Sequence, residues 1–203
     1  MKPSRQALEA LLQGRHADPF SLLGTHGGPQ GTFARVLIAG AERAQAHDLS
    51  GTPLGALKLA DRRGLFEGII AGDPQPVKYR AQGYGAEWWV SDPYSFGPVL
   101  GPVDDLLMGE GTHMRLYDKM GAHPITHQGA RGVHFAVWAP NARRVSVVGD
   151  FNDWDGRRHV MRRRADTGVW EIFLPDIAEY RAYKFEIIGV DGKLVPLKAD
   201  PFA

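Results

Sequence analysis

Short runs of β-branched and aromatic residues, separated by glycine or proline, constrain this chain more than any other feature. The 203 residues include 25 glycines and 14 prolines, a content typical of strand-and-turn proteins rather than helical ones. The runs are Phe33–Ile38, Leu65–Ile70, Val77–Gln82, Glu87–Val90, Val133–Trp138, Val145–Val148, Val169–Leu174, Tyr183–Ile188 and Lys193–Leu197. Runs of this length, with turn residues between them, favour antiparallel β-sandwiches. Strands and helices do not alternate, so a doubly wound sheet is not predicted.

The two halves of the chain repeat short motifs in the same order. The pairs are Leu23–His26 with Met120–His123, Gly31–Phe33 with Gly132–Phe135, Gly64–Glu67 with Gly168–Glu171, Val77–Tyr79 with Tyr183–Phe185, and Asp92–Tyr94 with Asp200–Phe202. The spacing between matching motifs only grows along the chain, as expected if loops lengthened in a second copy of one module. We therefore predict an all-β chain of two tandem immunoglobulin-like β-sandwiches, residues 1–103 and 104–203.

Two short helices are predicted beside the strands. Ser4 can cap the first helix, and Gly14 is placed to end it. Three leucines of this helix fall on one face: Leu8, Leu11 and Leu12. The second helix, Asp104–Met108, would be one or two turns capped by its acidic pair and would form a short helical linker.

Composition narrows the possible partners and surroundings. The formal net charge of +1 gives no overall field for nucleic acid or anionic membrane, and no apolar run approaches the ~18–20 residues of a membrane span. Glu9 and Gln13 interrupt what would have to be a signal-peptide core. The absence of cysteine excludes disulfides and thiol catalysis and fits a reducing compartment. We expect a cytoplasmic protein with neither nucleic acid nor membrane as a partner.

The most informative stretch is Val147–Gly156, which reads VVGDFNDWDG. A strand is predicted to end early in it, which leaves Trp154 on a polar surface loop where a large ring is costly to expose. Sugar rings have apolar C–H faces that stack on indole, and their hydroxyls need amide, carboxylate and ammonium partners. Trp154 is therefore a candidate carbohydrate-binding residue, with Asn152, Asp153 and Lys184 as candidate polar partners. One alternative stays open, in which Trp154 folds back as a lid on the sandwich edge.

This stretch resembles a known family. Gly132–Ala142 (GVHFAVWAPNA), followed by the segment ending at Trp154, resembles carbohydrate-binding module family 48, the glycogen-binding module that precedes the catalytic barrel of 1,4-α-glucan branching enzymes. The pattern continues through Gly168–Glu171, Tyr183–Ile187 and Lys198–Pro201. The first half resembles the additional N-terminal module of long bacterial branching enzymes at Asp18–Phe20, Leu23–His26 and Asp92–Phe96, and the linker Asp105–Gly111 also fits.

The resemblance implies roles for particular residues. In the related modules of glycogen-sensing kinase subunits, two tryptophans and a lysine hold the glucan. Trp154 matches the first tryptophan and Lys184 matches the lysine. Leu194 stands where the second tryptophan would follow the Asp-Gly turn. The resemblance therefore implies a weak hold on α-glucan.

Catalysis is not expected from these residues. Branching enzymes act through carboxylates on a (β/α)₈ barrel, which usually needs ~250 residues. Asp150, Asp153 and Asp155 are close together in sequence, but on such a loop they are expected to be hydrogen-bonding or turn residues. We predict no catalytic residue and no cofactor, and we expect the non-catalytic N-terminal part of a branching enzyme. Its partners would be α-glucan (glycogen) chains and a catalytic barrel that these residues do not contain.

Two other functions stay open. One is a free-standing glycogen-binding or regulatory module, and the other is a structural immunoglobulin-like interaction module without a sugar site. His123 and His127 are spaced like metal ligands, but Pro124 disfavours a helix there and no carboxylate is near, so no metal site is predicted.

Arginines and tryptophans supply the remaining candidates. The arginines at 157, 158 and 162–164 are expected on a solvated loop or at a contact with a neighbouring domain, rather than on an anionic polymer. Trp88 and Trp89 alternate faces of a strand, so one should be core and the other exposed. Trp138 and Trp170 are both predicted to be core.

Overall fold

A computed structural model describes residues 3–164, 167–177 and 181–203. Backbone contacts divide the chain into two compact units. Unit 1 consists mainly of residues 20–97 with 128–130, and unit 2 of residues 4–19, 98–127 and 131–203. Both units are built from antiparallel strands, which confirms the all-β fold class. The predicted domain boundary between residues 103 and 104 stays a prediction.

The described part of unit 1 contains seven strands. They are β1 (Gly24–Gly28), β2 (Gly31–Leu37), β3 (Arg43–His47), β4 (Pro53–Asp61), β5 (Leu65–Ile70), β6 (Lys78–Gly83) and β7 (Ala86–Ser91). Their hydrogen-bonded order is β1-β2-β5-β4-β3-β6-β7. The predicted runs correspond to β2, β5, β6 and β7. Strands β1, β3 and β4 were not predicted from the sequence.

The long strand β4 joins the two layers of unit 1. Its first part pairs with β3, where Leu57 lies opposite Ala44, and its second part pairs with β5, where Lys58 lies opposite Glu67. One strand thus belongs to both layers, as at the corners of packed β-sheets. The apolar core includes residues from β2, β3, β4, β5 and β6, and its largest fully buried side chains include Tyr79.

Over its described residues, unit 2 contains two α-helices and six strands. They are α1 (Arg5–Leu12), α2 (Pro102–Glu110), β8 (Gly121–His127), β9 (Ala130–Trp138), β10 (Ala142–Gly149), β11 (Arg162–Arg164), β12 (Val169–Pro175) and β13 (Tyr183–Gly189). One sheet has the order β11-β12-β9-β8, and the other pairs β10 with β13. Among the described residues, no helix is long and apolar enough to span a bilayer.

Both predicted helices are present. The Ser4 hydroxyl accepts a hydrogen bond from the Ala7 N–H at 3.1 Å, and Gly14 follows α1 with a φ of +63°. Helix α2 begins two residues earlier than predicted, because the Asp104 carboxylate accepts the Gly101 N–H at 2.9 Å. Leu100 and Met120, which flank α2 and the turn after it, are buried in one cluster with residues of β9 and β12.

The last predicted run, Lys193–Leu197, is not a strand. Only isolated bridges join this segment to β13, one between Ile188 and Leu194 and one between Phe185 and Lys198. Pro196 lies between these bridges and has no N–H to donate, so a continuous ladder cannot form there.

The repeated motifs make the same local contacts in both units. The ring nitrogens His26 Nε2 and His123 Nε2 lie 2.9 and 2.8 Å from the carbonyl oxygen three residues earlier. Asp92 and Asp200 each accept the N–H two residues further along, at 3.0 and 2.8 Å. Each of these carboxylates also accepts a hydrogen bond from a tyrosine hydroxyl. These matched contacts support duplication of one module.

Two predictions about tryptophans are confirmed and one is wrong. Trp170 is buried, and of the β7 pair Trp88 packs on the core while Trp89 is 52% exposed. Trp138 is not a core residue, since it is 65% exposed. It is the last residue of β9, and its indole N–H donates to the Thr167 carbonyl instead of turning inward.

Candidate functional site

The loop that follows β10 is folded tightly back on the end of its strand. A Cβ on Gly149 would lie 2.5 Å from the Ala182 carbonyl oxygen and 2.6 Å from the Phe151 ring, so a side chain does not fit there. Asp153 and Trp154 both have left-handed backbones, with φ of 56° and 58°. The Trp154 N–H donates to the Gly149 carbonyl at 3.0 Å and closes the loop. Such backbone strain persists only where the surroundings determine it strongly, and it is concentrated at functional sites.

Asn152 builds this loop from the inside. It is 1% exposed, and its side-chain oxygen accepts the Gly149 N–H at 3.0 Å. Its amide nitrogen lies 2.9 Å from the Val147 carbonyl and 3.0 Å from His159 Nδ1. The amide is therefore enclosed and engaged within the protein. That Asn152 contacts a sugar stays a prediction; in the folded loop its amide points inward, which sequence alone cannot show.

Trp154 presents a ring that is held at its edge. Its indole N–H donates to Asp150 Oδ1 at 2.9 Å, and the residue is 38% exposed. The ring is thus partly packed and partly open, which differs from the fully covered ring of a core residue. Asp150 was not singled out as a positioning residue by the sequence analysis. A carboxylate four residues before a loop tryptophan gives no periodic signal, and only the closed loop brings the two together.

Lys184 lies at the same end of the two-stranded sheet. In the β10–β13 register it is opposite Val148, one position from Gly149, where the loop begins. Lys184 is exposed, whereas its neighbours Tyr183 and Phe185 make edge-on ring contacts in the interior. Strand alternation therefore directs the ammonium away from the core.

Asp153 is on the loop itself and is paired at the surface. Its carboxylate lies 2.9 Å from Arg158 Nη1, and the Asp153 side chain is 78% exposed. Exposed ion pairs of this kind contribute little to stability. The carboxylate can therefore exchange this partner for a sugar hydroxyl at small cost. Arg158 is a further residue that the sequence analysis did not connect to the site.

Ionisation of the loop is fixed by its neighbours. Hydrogen bonds from Arg157 lower the pKa of Asp155 to about 2. Burial of the ring, with the nearby charge of Arg158, lowers the pKa of His159 to about 4. At neutral pH the loop therefore holds a charged Asp155 and a neutral His159, and the neutral imidazole can accept from the Asn152 amide.

The arginine cluster and His123, the other candidates from the sequence, make contacts within the fold. The expected loop location is wrong for Arg162–Arg164, which form β11. Arg164 pairs with Asp105 and lies 3.4 Å from Glu171. His123 lies in β8 and contacts the Met120 carbonyl. Over the described ranges, no group of three or more metal-ligating side chains is found.

The Trp154 indole, the Lys184 ammonium and the Asp153 carboxylate are thus exposed at the same end of unit 2. Residues 119–203 match the family carbohydrate-binding module 48 (isoamylase N-terminal domain). Residues 4–94 match the N-terminal domain of alpha-1,4-glucan branching enzyme GlgB. The two matches together span most of the chain, which is therefore similar to the N-terminal region of the branching enzymes.

Curated relatives agree with this assignment. The chain is 68% identical to 1,4-alpha-glucan branching enzyme GlgB of Novosphingobium aromaticivorans, over 100% of this chain and 28% of the relative. The enzyme of Mesorhizobium japonicum is 60% identical over 96% of this chain and 26% of the relative. The chain thus spans little more than a quarter of these proteins. The match to the structure of a pullulanase from Anoxybacillus sp. LM18-11 covers 85% of this chain and 24% of the pullulanase chain, at 16% identity. Its TM-score of 0.35 is too low to support any inference.

Proposed function

We propose that this chain is the glucan-binding, non-catalytic part of a 1,4-α-glucan branching enzyme. The whole protein would cut α-1,4-glucan chains and rejoin the segments as α-1,6 branches. This part would hold glucan chains near the catalytic barrel and pack against that barrel. The proposal includes a cytoplasmic location, where glycogen is made, and the absence of cysteine is compatible with it.

The observation that carries the proposal is the Trp154 ring. Its edge is fixed by Asp150, and 38% of the residue is open to solvent. A glucose unit would stack its C–H face on this open surface. Lys184 and Asp153 would then hydrogen-bond the hydroxyls, since both side chains are exposed at the same end of unit 2. Because the ring and loop are already ordered, little entropy would be lost on binding.

The hold should be weak. Leu194, at the position where related modules have a second tryptophan, is 63% exposed and offers an aliphatic surface instead of a flat ring. One stacking ring and a few exposed hydrogen-bonding groups make a small site. Such a site is most useful when a tether raises the effective concentration of the second binding event.

Titration of the 203-residue chain with maltoheptaose, followed by calorimetry and by the indole N–H signals in NMR, tests the proposal. A tryptophan side chain buries at most about 250 Å², so an open fraction of 38% leaves about 95 Å². Covering about 60 Å² of it at ~25 cal/mol per Å² gives ~1.5 kcal/mol, or about tenfold in Kd. We therefore expect Trp154→Ala to bind about tenfold more weakly.

Trp138→Ala is the matched control, because it removes another exposed indole of unit 2 from a strand end. It should bind maltoheptaose as the wild type does. Normal binding by Trp154→Ala would refute the stacking role. If that variant unfolds, Trp154→Phe keeps a ring at the same position and should retain most of the affinity. A chain that gives no maltoheptaose response at all would favour a structural immunoglobulin-like module.

A further inference from the structure

Unit 1 carries an exposed aromatic ring on a sheet face that is otherwise polar. The face belongs to β3, β6 and β7, and β7 is the edge strand of the sheet. The register places three residues side by side in each row across these strands. The rows, from β3 to β7, are His47-Lys78-Ser91, Gln45-Arg80-Trp89 and Arg43-Gln82-Glu87. We call these nine residues the outer face of unit 1.

The opposite face of the same strands explains why Trp89 is exposed. Its rows are Ala46-Tyr79-Val90 and Ala44-Ala81-Trp88, and all six residues belong to or pack against the apolar core. Because side chains alternate along a strand, the residue after Trp88 must point the other way. Trp89 is therefore directed to solvent by the fold and remains 52% exposed.

The ring of Trp89 is held in place by two neighbours. The Lys78 ammonium lies 4.9 Å from the ring centroid. The imidazole of His47 makes an edge-on contact at 4.9 Å, and its own Nδ1 lies 3.0 Å from the Gly51 carbonyl oxygen. A ring fixed in this way loses little freedom on binding, which is the property of a preorganised stacking surface.

Hydrogen-bonding groups continue from the ring toward the end of the β6–β7 hairpin. Arg80, beside Trp89, pairs with Glu87, and the Gln82 amide lies 3.3 Å from the same carboxylate. A cleft of about 330 Å³ follows, lined by residues 42–43, 82–83 and 85–87. Its volume is at the lower end of the range for small-ligand sites. Tyr84, at the hairpin turn, is 86% exposed.

We propose that the outer face of unit 1 is a second α-glucan-binding site, in which Trp89 stacks on a glucose unit and Lys78, Gln82 and Glu87 bind hydroxyls. From Trp89 to Ala86, where β7 begins, the strand rises roughly 10 Å at ~3.3 Å per residue, and Tyr84 lies in the turn beyond it. The face can therefore hold several consecutive glucose units. This site would be separate from the one at Trp154 and goes beyond the function proposed above.

The chemistry of the face favours a neutral, hydroxyl-rich ligand. The core of a protein–protein interface is depleted of charged residues, whereas the neighbours of Trp89 on this face are charged or polar. Single-stranded nucleic acid would also stack on a ring, but it needs net positive charge along its phosphates. Here Glu87 pairs with Arg80, and Glu42 offsets Arg43 in the cleft, which leaves Lys78 and a net charge of about +1 rather than a continuous positive track.

The internal repeat supports the same assignment. The motif Val77–Tyr79 of unit 1 matches Tyr183–Phe185 of unit 2, so Lys78 corresponds to Lys184. Each lysine lies on its strand between residues that face the interior. Each unit thus carries a lysine at the same place and an exposed tryptophan of its own, on a different element in each case.

NMR titration of the full 203-residue chain with maltoheptaose tests this site directly. The five indole N–H signals can be assigned by substitution, so Trp89 and Trp154 report separately. We expect the Trp89 signal and the Gln82 side-chain amide signals to shift. Trp89→Ala should weaken binding at this site about tenfold, while Trp89→Tyr should retain most of it. Leu59→Ala is the matched control, since Leu59 is 46% exposed on another strand of unit 1.

The two proposals fail in different ways. If the Trp154 signal shifts to saturation while the Trp89 signal stays in place, the second site is refuted and the function at Trp154 stands. If the Gln82 amide signals show that Trp89→Ala keeps wild-type affinity at the outer face of unit 1, the stacking role of Trp89 is refuted. If an oligothymidylate shifts Trp89 and maltoheptaose does not, the ligand class is wrong. Trp89→Ala should have the same melting temperature as the wild type. If it is less stable, Trp89→Phe is tested in its place.

Discussion

Replacing Asn152 with alanine tests whether this residue builds the Trp154 loop or contacts the ligand. The buried amide joins three parts of the loop region: the Gly149 N–H, the Val147 carbonyl and the ring of His159. Alanine would leave the first two of these groups without this partner. A buried polar group left unpaired costs about 1–3 kcal/mol. We therefore expect Asn152→Ala to destabilise unit 2 by about 3 kcal/mol.

Urea unfolding monitored by tryptophan fluorescence measures this loss, and amide exchange locates it. The Trp154 N–H, which is bonded to the Gly149 carbonyl, should exchange faster in the variant because the loop opens. Maltoheptaose binding should weaken together with the loss of protection. Asn141→Ala is the control, because Asn141 is exposed and lies immediately before β10. Full stability and normal Trp154 protection, combined with lost binding, would show that Asn152 contacts sugar and that the structural interpretation is wrong.

Two further substitutions test the buried charges of each unit. In unit 1, burial raises the pKa of Asp92 to about 7, so the folded state favours the protonated form and the stability from this group is lost as pH rises through 7. Between pH 5 and pH 8 the wild type should therefore lose on the order of 2 kcal/mol of unfolding free energy that Asp92→Asn does not lose. Urea unfolding at several pH values measures this, and an equal pH dependence of both proteins would contradict it. In unit 2, Glu171 accepts the Leu100 N–H at 3.0 Å and lies beside Arg164. Glu171→Ala should therefore lower the free energy of unfolding by about 3–5 kcal/mol. A loss below about 1 kcal/mol would show that these contacts of Glu171 are not needed for stability.

Strands rich in β-branched residues were predictable, and strands of small or polar residues were not. β5 and β12 were found almost to the residue, because their apolar side chains give a clear pattern. β3 reads RAQAH and lacks any large apolar residue. Yet Ala44 and Ala46 are 4% and 0% exposed and belong to the apolar core of unit 1. A pattern that weighs hydrophobic size cannot detect such a strand.

Sequence selected the exposed residues of the candidate site, whose role in binding stays a prediction. The polar loop composition and the family resemblance were enough to select Trp154 and Lys184, and both are exposed at one end of unit 2. Asn152 has the same composition signal, but its amide is enclosed. Asp150 and Gly149 position the ring and the loop through contacts that exist only after the chain has folded. Sequence therefore identified the candidate ligand contacts better than the residues that hold them.

Duplication explains why the scaffold could be inferred and the ligand surfaces could not. The matched motifs lie where the backbone needs them: Gly24 and Gly121 have φ of +91° and +101°, and Asp92 and Asp200 fix corresponding turns. A side chain at either glycine would be strained, so these positions resist change in both copies. Exposed rings carry no such constraint. The repeat therefore predicts a shared fold but not the position of the exposed tryptophan in each unit. That position has to be read from the structure of each unit, and its ligand has to be tested separately.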